Sequence, residues 1–341
     1  MAMEGQLPGH VARFLKSGFT AQYVTVSAAA MPVDTPILYF PSPGLASIDL
    51  ATGLSYPAKA ERARRNPKVG LLIEGGAEEP VVSIAGMAAV RDRDIQANVD
   101  RYLAEASYVL SHDPSWELAR KAVWYWTRII VEVMPVRIDW WDNPAALDEP
   151  PHSWGAPAST QFPPSDPAPA GETSRPSAWR HPPWQELAVE ALTRGDKPYL
   201  SVIDESGFPR SIGAGPVEMT ADGFRLAPPK GTPWAIAGKA CLTFRGIETF
   251  LGETDGETFR VERTLPVFPM TTDMTQLWEP TDDTRGQLMA RLEHELARRG
   301  QPIPEIPAER PPPTAYYRLR LERLQGVTSP AGQSYRQTQG D

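Results

Sequence analysis

Cysteine is nearly absent from this sequence, because Cys241 is the only one among 341 residues. A single thiol excludes a disulfide within the chain and a cysteine-based zinc cluster. No apolar run near the N-terminus is followed by a small-residue cleavage site, and the most apolar stretch, Ala122–Met134, is too short and too charged to cross a bilayer. These absences predict a reducing, cytoplasmic setting and no membrane partner.

The motifs of common catalytic centres are missing as well. There is no Gly-x-Ser-x-Gly, His-Glu-x-x-His or P-loop pattern, and the five histidines lack metal-ligand spacing. We therefore expect no metal site, and the catalytic residues stay unknown. The net charge of −8 argues against nucleic acid as a partner, because binding to phosphates needs a broad basic surface. A small local basic pocket is still compatible with that charge.

Proline is the residue in excess, with 37 in the chain. Many of them fall between Asp142 and Pro183, where a mixture of Pro, Ala and Ser predicts an extended linker with little regular structure. This interpretation gives a first domain at 10–142, a linker at 143–183 and a second domain at 184–330. The hydrophobic content of 41% is ordinary for a globular protein with a real core.

The two halves repeat one order of predicted elements. Segments rich in β-branched and aromatic residues follow each other with short turns, which favours an antiparallel barrel over a parallel sheet. The matched pairs of segments are Val69–Ile73 with Ala240–Phe244, Ser83–Gly86 with Thr249–Gly252, and Thr127–Trp140 with Tyr317–Leu324 as the closing strand. A β-bulge is expected at Gly86. The preserved order predicts duplication of one unit.

The stretch from Ala46 to Gly70 organises the first half as strand, tight turn, basic helix and strand. Ser55 is the predicted N-cap of the helix, and Asn66–Pro67 ends it. The unpaired N–H groups of a helix start, together with the nearby Lys59, suit a phosphate. The alternative is a basic helix that simply faces water.

The second half has no equivalent of this helix. Its corresponding segment, Pro228–Lys239, opens with two prolines and lacks the arginines. Because proline has no N–H to donate, this segment is a poor phosphate site. The sequence therefore predicts one phosphate site in the chain, in the first half.

Three local motifs of the first half carry a family resemblance. They are Met31–Phe40 (MPVDTPILYF), the turn and helix start at Thr52–Ala60, and Arg65–Val69 (RNPKV). With the order of elements over Val11–Trp141, they resemble the pyridoxamine 5′-phosphate oxidase-like, flavin-binding split barrels. The second half resembles the same fold more distantly. The resemblance implies a mainly β fold with α-helices, in which two split β-barrels stand in tandem.

The resemblance also implies a ligand and its site. The ligand would be FMN, and the protein an FMN-dependent oxidoreductase acting on a small organic molecule. The implied cofactor-binding residues are Thr35, Pro36 and Ile37 at the flavin ring, Thr52, Gly53, Ser55 and Lys59 at the phosphate, and Trp126 as an aromatic cover. For Trp126, core packing is the competing interpretation. Pro57 and Ala58 stand where well-studied oxidases of the family carry Ser-Arg.

Other ligands and roles stay open on the same scaffold. An F420-dependent reductase, a non-catalytic carrier or sensor of flavin or heme, and an interaction module without a ligand are the alternatives. The flavin of such folds usually lies between two barrels. The two halves of one chain could supply this pair, or a homodimer could.

Overall fold

The computed structural model describes residues 4–18, 20–110, 114–174, 179–244, 247–267 and 275–327. Within these ranges the chain forms two antiparallel sheets, each with seven strands, and several helices. The strands of the first sheet are β1 (Thr20–Val26), β2 (Pro32–Pro41), β3 (Ile48–Gly53), β4 (Lys68–Ile73), β5 (Val81–Arg91), β6 (Arg128–Trp141) and β7 (His152–Gly155). Those of the second are β8 (Pro198–Ile203), β9 (Pro209–Gly213), β10 (Glu218–Met219), β11 (Gly223–Arg225), β12 (Gly238–Phe244), β13 (Glu248–Thr254) and β14 (Thr258–Thr264).

The helices lie before, between and after these strands. They are α1 (Gly9–Ser17), α2 (Ala58–Arg65), α3 (Ile95–Leu110), α4 (Trp116–Ala119), α5 (Val123–Trp126), α6 (Trp184–Arg194), α7 (Thr275–Trp278), α8 (Asp282–Arg299) and α9 (Ala315–Val327). Short 3-10 turns occupy Glu4–Gln6, Pro43–Leu45 and Pro144–Ala146. In this part of the chain, no helix combines the length and the apolar character needed to cross a lipid bilayer.

The first sheet closes into a six-stranded barrel. Its order is β3-β2-β1-β4-β5-β6, and the ring closes because β3 pairs with β6 as well as with β2. The predicted bulge is present, since the register of β5 against β6 shifts between Ala85 and Gly86. A Cβ at Gly86 would lie 2.5 Å from Val133 Cγ1 and 3.1 Å from the carbonyl oxygen of Met134, so a larger residue at the bulge would have to displace Val133.

The second sheet repeats this pairing but stays open. Its order, β10-β11-β14-β13-β12-β8-β9, makes it a curled half-barrel. Only a single backbone hydrogen bond, from Ala227 N to Ala214 O at 3.1 Å, joins the residues that follow β11 and β9. The prediction of two tandem split barrels in a mainly β fold with helices is confirmed.

The closing strand of the second half was placed wrongly by the sequence. The segment Tyr317–Leu324 lies in helix α9, and β14 takes the closing position beside β13. Its Tyr-Arg-Leu-Arg-Leu pattern imitates the alternation of a strand. Among the residues of this segment whose side chains the structure describes, Tyr317 and Arg320 are buried, and their spacing of three is that of a helix face.

Register shows that the halves are duplicates. Cys241 of β12 pairs with Ser201 of β8, as Gly70 of β4 pairs with Val24 of β1. A register shift between Leu251 and Gly252 repeats the bulge of β5 in β13. The strands β1, β2, β4 and β5 therefore correspond to β8, β9, β12 and β13.

The two halves meet in a reciprocal interface. Strand β2 contacts β8 and β12, while its counterpart β9 contacts β1 and β4. The Lys68 ammonium donates to the carbonyl of Ser206 at 2.6 Å, and Lys239 donates to that of Ala29 at 2.7 Å. These two bonds join equivalent lysines to equivalent turns. One chain thus contains an arrangement like that of an isologous dimer.

The C-terminal helices pack on the first barrel, not on the second. Leu288 and Leu292 of α8 belong to the same buried cluster as the first barrel's core. In α9, the ring of Tyr317 lies 5.5 Å from that of Tyr108 on α3. The range 184–330, predicted for the second domain, therefore holds from Thr275 on helices that cover the first barrel.

The proline-rich segment is mostly irregular but is attached to the first barrel. Strand β7 extends the first sheet beside β6, and Trp154 packs against the barrel core. The Asp166 carboxylate accepts hydrogen bonds from the backbone N–H groups of Asp92 and Arg93, at 2.9 and 3.0 Å. The segment is therefore a strap along the first barrel rather than a free tether.

Candidate functional site

The start of α2 differs from the prediction at Ser55. The helix begins at Ala58, and Pro57 occupies the N-cap position without a side-chain cap. Ser55 is instead buried before the helix, where its carbonyl accepts a hydrogen bond from Arg291 Nε at 2.9 Å. Its own hydroxyl has no hydrogen-bond partner within the described part of the chain. Lys59 lies in the first turn, as expected.

Three cations gather around this helix start without carboxylate partners. Lys59 and Arg62 come from α2, and Arg128 opens β6 next to Gly53, with which it pairs. No carboxylate of the described residues lies within ion-pair distance of the three charged groups. Burial, together with the positive charges of Arg62 and Arg128, lowers the pKa of Lys59 to about 8. The site is therefore rich in positive charge that its own side chains leave largely uncompensated.

Each of the two arginines among these three cations is held in place by a neighbouring side chain. Arg62 Nε donates to Thr25 Oγ1 of β1 at 2.7 Å. The Arg128 guanidinium lies over the rings of Tyr102 and Tyr125, 4.5 and 4.1 Å from their centres. Such contacts fix the positions of the cations without neutralising them.

Among the other basic residues of this region, Arg64, Arg298 and Arg299 are paired with carboxylates, whereas Arg65 is exposed. Arg64 on the same helix lies 2.8 Å from a carboxylate oxygen of Asp92, and Arg299 of α8 lies 2.9 Å from it. Arg299 and Arg298 also contact Glu295, at 2.7 and 2.6 Å. The basic helix is thus neither wholly solvated nor wholly directed at a ligand. One side of it is pinned by carboxylates, and the other carries the unpaired cations.

Asp34 supplies a negative charge that acts on Lys59. It lies on β2, is fully buried between the halves, and accepts hydrogen bonds from the hydroxyls of Ser201 and Ser211, at 2.8 and 3.0 Å. Its other oxygen, Oδ1, has no partner among the described residues. Burial raises the pKa of Asp34 to about 6, although the two serine hydroxyls and the positive charge of Lys59 oppose that rise.

The predicted ring-binding residues lie on an open strand edge. Thr35, Pro36 and Ile37 pair with β1, but β2 pairs with β3 only over Tyr39–Pro41. The other edge of β2 at these three residues therefore has no strand partner in its own barrel. The Thr35 hydroxyl is buried and has no hydrogen-bond partner within the described ranges.

Trp126 lies in an aromatic cluster of the first barrel. Its side chain is fully buried, and its indole N–H donates to the carbonyl of Ala119 at 2.7 Å. It stacks on Trp278 of α7, with ring centres 5.6 Å apart, and touches Tyr102 and Tyr125. Packing accounts for all of its contacts, and it supports the two tyrosines that lie under Arg128.

The structure thus joins part of the predicted site and separates the rest. Gly53 and Lys59 lie with Arg128, and Asp34, next to Thr35, acts electrostatically on Lys59. The buried Thr52 precedes Gly53 at the end of β3. Ser55 is turned toward α8, and Trp126 lies in the core. The two surface cavities of about 40 and 360 Å³ are lined by other residues.

Sequence reasoning missed two members of the group. Asp34 is a charged residue inside an otherwise apolar strand, and this break in pattern is the signal that could have found it. Arg128 lies in the predicted closing strand of the first half, and only its pairing with Gly53 places it at the helix start. Among the described residues, no group of three His, Cys, Asp or Glu side chains could hold a metal ion.

Comparisons with known proteins give matches among solved structures alone. No family model matches the chain, and no match was found among curated proteins. Similar solved structures include the conserved hypothetical protein Rv2991 from Mycobacterium tuberculosis, 24% identical over 40% of this chain and 84% of that one, with a TM-score of 0.33. A putative pyridoxamine 5′-phosphate oxidase from Listeria innocua is 18% identical over 39% and 96% of the chains, with a TM-score of 0.30. A FAD-binding protein from Mesorhizobium loti is 15% identical over 39% and 92%, with a TM-score of 0.26.

Proposed function

We propose that the first barrel binds a flavin mononucleotide and that the protein is a flavin-dependent oxidoreductase acting on a small organic molecule. The phosphate would lie against Lys59, Arg62 and Arg128, and the ring along the open edge of β2 at Thr35–Ile37. The pair of barrels that encloses the flavin would come from the two halves of one chain.

One observation carries this proposal: three neighbouring cations lack carboxylate partners, while Arg64, Arg298 and Arg299 beside them are all paired. A phosphate monoester carries nearly two negative charges at neutral pH and needs several donors with at least one cation. The first turn of α2 adds unpaired backbone N–H groups at the same place. The donor set therefore fits the phosphate of FMN.

The protein's own residues would bind the flavin and orient it. The cations fix one end of the ligand, and β2 offers backbone groups and the unpartnered Thr35 hydroxyl to the other. When bound, the flavin supplies hydride or electron transfer, so the chain needs no nucleophile or metal of its own. This accords with a sequence that has none of the common catalytic motifs.

Lys59→Met tests the site by flavin titration. We expect FMN affinity to fall about ten- to a hundredfold, because a charge-assisted hydrogen bond contributes roughly 1.5–3 kcal/mol. Methionine keeps the length of the side chain, so the fold should be unaffected. Arg65→Met is the matched control, since Arg65 is an exposed cation on the same helix. An equal loss in both variants would mean that net charge, not this site, governs binding.

Turnover separates an oxidoreductase from a carrier or sensor of flavin or heme. We expect the flavin-loaded protein to oxidise a reduced nicotinamide when an electron acceptor is supplied. Bound flavin without turnover would favour the carrier. A purified protein that is colourless and cannot be reconstituted with FMN would contradict the proposal. Preferential binding of F420 would favour an F420-dependent reductase instead.

A further inference from the structure

We propose that Asp34 sets the charge selectivity of this site: its carboxylate offsets one of the three cations, so that the site favours a dianion such as a phosphate monoester. The inference rests on the proposed function and assigns a role to a residue outside the predicted set. Asp34 acts here as a specificity-determining residue and not as a catalytic one.

The position of Asp34 is fixed by the second half. Ser201 and Ser211 both donate to one carboxylate oxygen, Oδ2, so the side chain is held from across the interface. The other oxygen, Oδ1, is buried and has no hydrogen-bond partner within the described ranges. A carboxylate with one oxygen anchored and one unpartnered is costly in a buried place, unless a group nearby uses its charge.

The duplication shows that this charge is particular to one half. Asp34 and Ser211 are each the third residue of equivalent strands, β2 and β9, and they contact each other. A residue that touches its own counterpart lies near the pseudo-two-fold axis. In a dimer of identical first halves, two aspartates would therefore face each other and repel. The single chain replaces one by a serine, which donates to the carboxylate that remains.

The charged groups near Asp34 belong to the first half, where its carboxylate acts on Lys59. Lys59 and Arg62 of α2 and Arg128 of β6 are positive. Cys241 of β12 also lies beside Asp34, and its deep burial raises the pKa of its thiol, which therefore stays neutral. Three positive charges and one negative charge leave a net charge of about two, which matches a phosphate monoester near neutral pH. Without Asp34 the site would favour anions of higher charge.

Paired titrations with FMN and riboflavin measure this selectivity, because the two ligands differ only in the phosphate. At pH 7.0, above the pKa of Asp34 and below that of Lys59, we expect Asp34→Asn to raise the ratio of FMN to riboflavin affinity about tenfold. Inorganic pyrophosphate should also displace FMN more effectively from this variant than from the parent protein. Below about pH 5.5 the variant and the parent should converge, since Asp34 is then protonated.

Ser211→Thr is the matched control, because it alters the surroundings of Asp34 but keeps the hydroxyl donor and the carboxylate charge, and its ratio should stay that of the parent. If Asp34→Asn does not fold, Asp34→Ser takes its place, since serine is what the second half has there. A high ratio in the parent that the Asp34 variants leave unchanged or lower would overturn this inference alone. A parent ratio near one would overturn the phosphate site and, with it, the role of Asp34.

Discussion

At the scale of single residues, Asp34 shows what the role proposed for it costs the fold. A buried carboxylate that lacks a partner on one oxygen is destabilised relative to the unfolded chain. Its pKa of about 6 in the folded protein, against roughly 3.9 for an unperturbed aspartate, expresses this cost. The charge of Asp34 therefore opposes folding above pH 6, and the effect disappears when both states are protonated, below about pH 4.

This linkage predicts how Asp34→Asn changes stability with pH. Between pH 4 and pH 7.5, the variant should gain about 2–3 kcal/mol of unfolding free energy relative to the parent, since one pKa unit corresponds to ~1.4 kcal/mol. Urea unfolding of both proteins at the two pH values measures the difference. A constant offset, such as lost hydrogen bonding, cancels in this comparison. Equal differences at both pH values would mean that the pKa of Asp34 is the same in the folded and the unfolded protein, so that burial does not raise it.

The sequence located residues near the site where local chemistry was enough. Lys59 was found because the tight turn before it and the Asn66–Pro67 stop after it predict a short basic helix that begins close to this lysine. Asp34 was not, because its role depends on Ser201 and Ser211, more than 160 residues away in the chain. Ser55 was wrongly predicted as the N-cap, since the helix begins at Ala58. The carbonyl of Ser55 instead accepts a hydrogen bond from Arg291, which lies on a helix whose position local propensity cannot predict.

At the scale of elements, α2 is a helix with two electrostatic sides. Arg64 faces Asp92, which Arg299 of α8 also contacts, and all three side chains are nearly buried. Without the shared carboxylate, Arg64 would depend on its longer contact with Glu61, at 3.5 Å, and Arg299 on Glu295, at 2.7 Å, in a place with little water. This network attaches α8, and with it the C-terminal part of the chain, to the helix that carries Lys59.

Asp92→Ala should therefore destabilise the protein by about 3–5 kcal/mol, the range for breaking a buried ion pair. Chemical denaturation measures the loss. Glu253→Ala is the control, because Glu253 pairs with Arg260 at 3.0 Å on the exposed face of the second sheet, where such pairs contribute less than about 1 kcal/mol. Similar losses in both variants would show that the network contributes no more than a surface pair.

Periodicity predicted strands better than it predicted their partners. The first barrel followed from alternating segments and short turns, because neighbouring strands in the chain also pair in space. The closing position of the second sheet was misassigned since the alternation in Tyr317–Leu324 fits a strand as well as a helix. Tertiary packing against Tyr39, whose carbonyl accepts a hydrogen bond from Arg320, decides for the helix.

At the scale of the whole molecule, duplication has produced two unequal halves around a reciprocal interface. The paired bonds of Lys68 and Lys239 keep the symmetric part. These bonds make Lys239 the counterpart of Lys68 and not of Lys59. Lys239 therefore does not stand in the second half at the position that corresponds to the proposed phosphate site. The sequence predicted this asymmetry from the missing helix, and the structure adds what stands in its place.

In chain order, the segment after β11 corresponds to α2, because it links β11 to β12 as α2 links β3 to β4. Trp234 lies over the guanidinium of Arg210, 4.2 Å from it, and Arg210 in turn contacts Asp139 of the first half at 2.6 Å. The backbone N–H of Gly231 donates to the carbonyl of Leu147 at 3.1 Å, which ties this segment to the strap. The segment after β11 therefore packs against β9 and the strap, and the arginine that it covers is paired with a carboxylate.

From this asymmetry we predict one flavin per chain, with a site that is complete in a monomer. Denaturing the loaded protein and comparing the released flavin absorbance with the protein concentration gives the stoichiometry. Sedimentation of the same sample shows whether the loaded species is a monomer or a homodimer. Because the interface between the halves already supplies both barrels, the ratio should stay at one in either state. A ratio of two would mean that Trp234 moves away and that the second half binds flavin without a counterpart of Lys59, whereas a ratio of one half would mean that two chains build a single site.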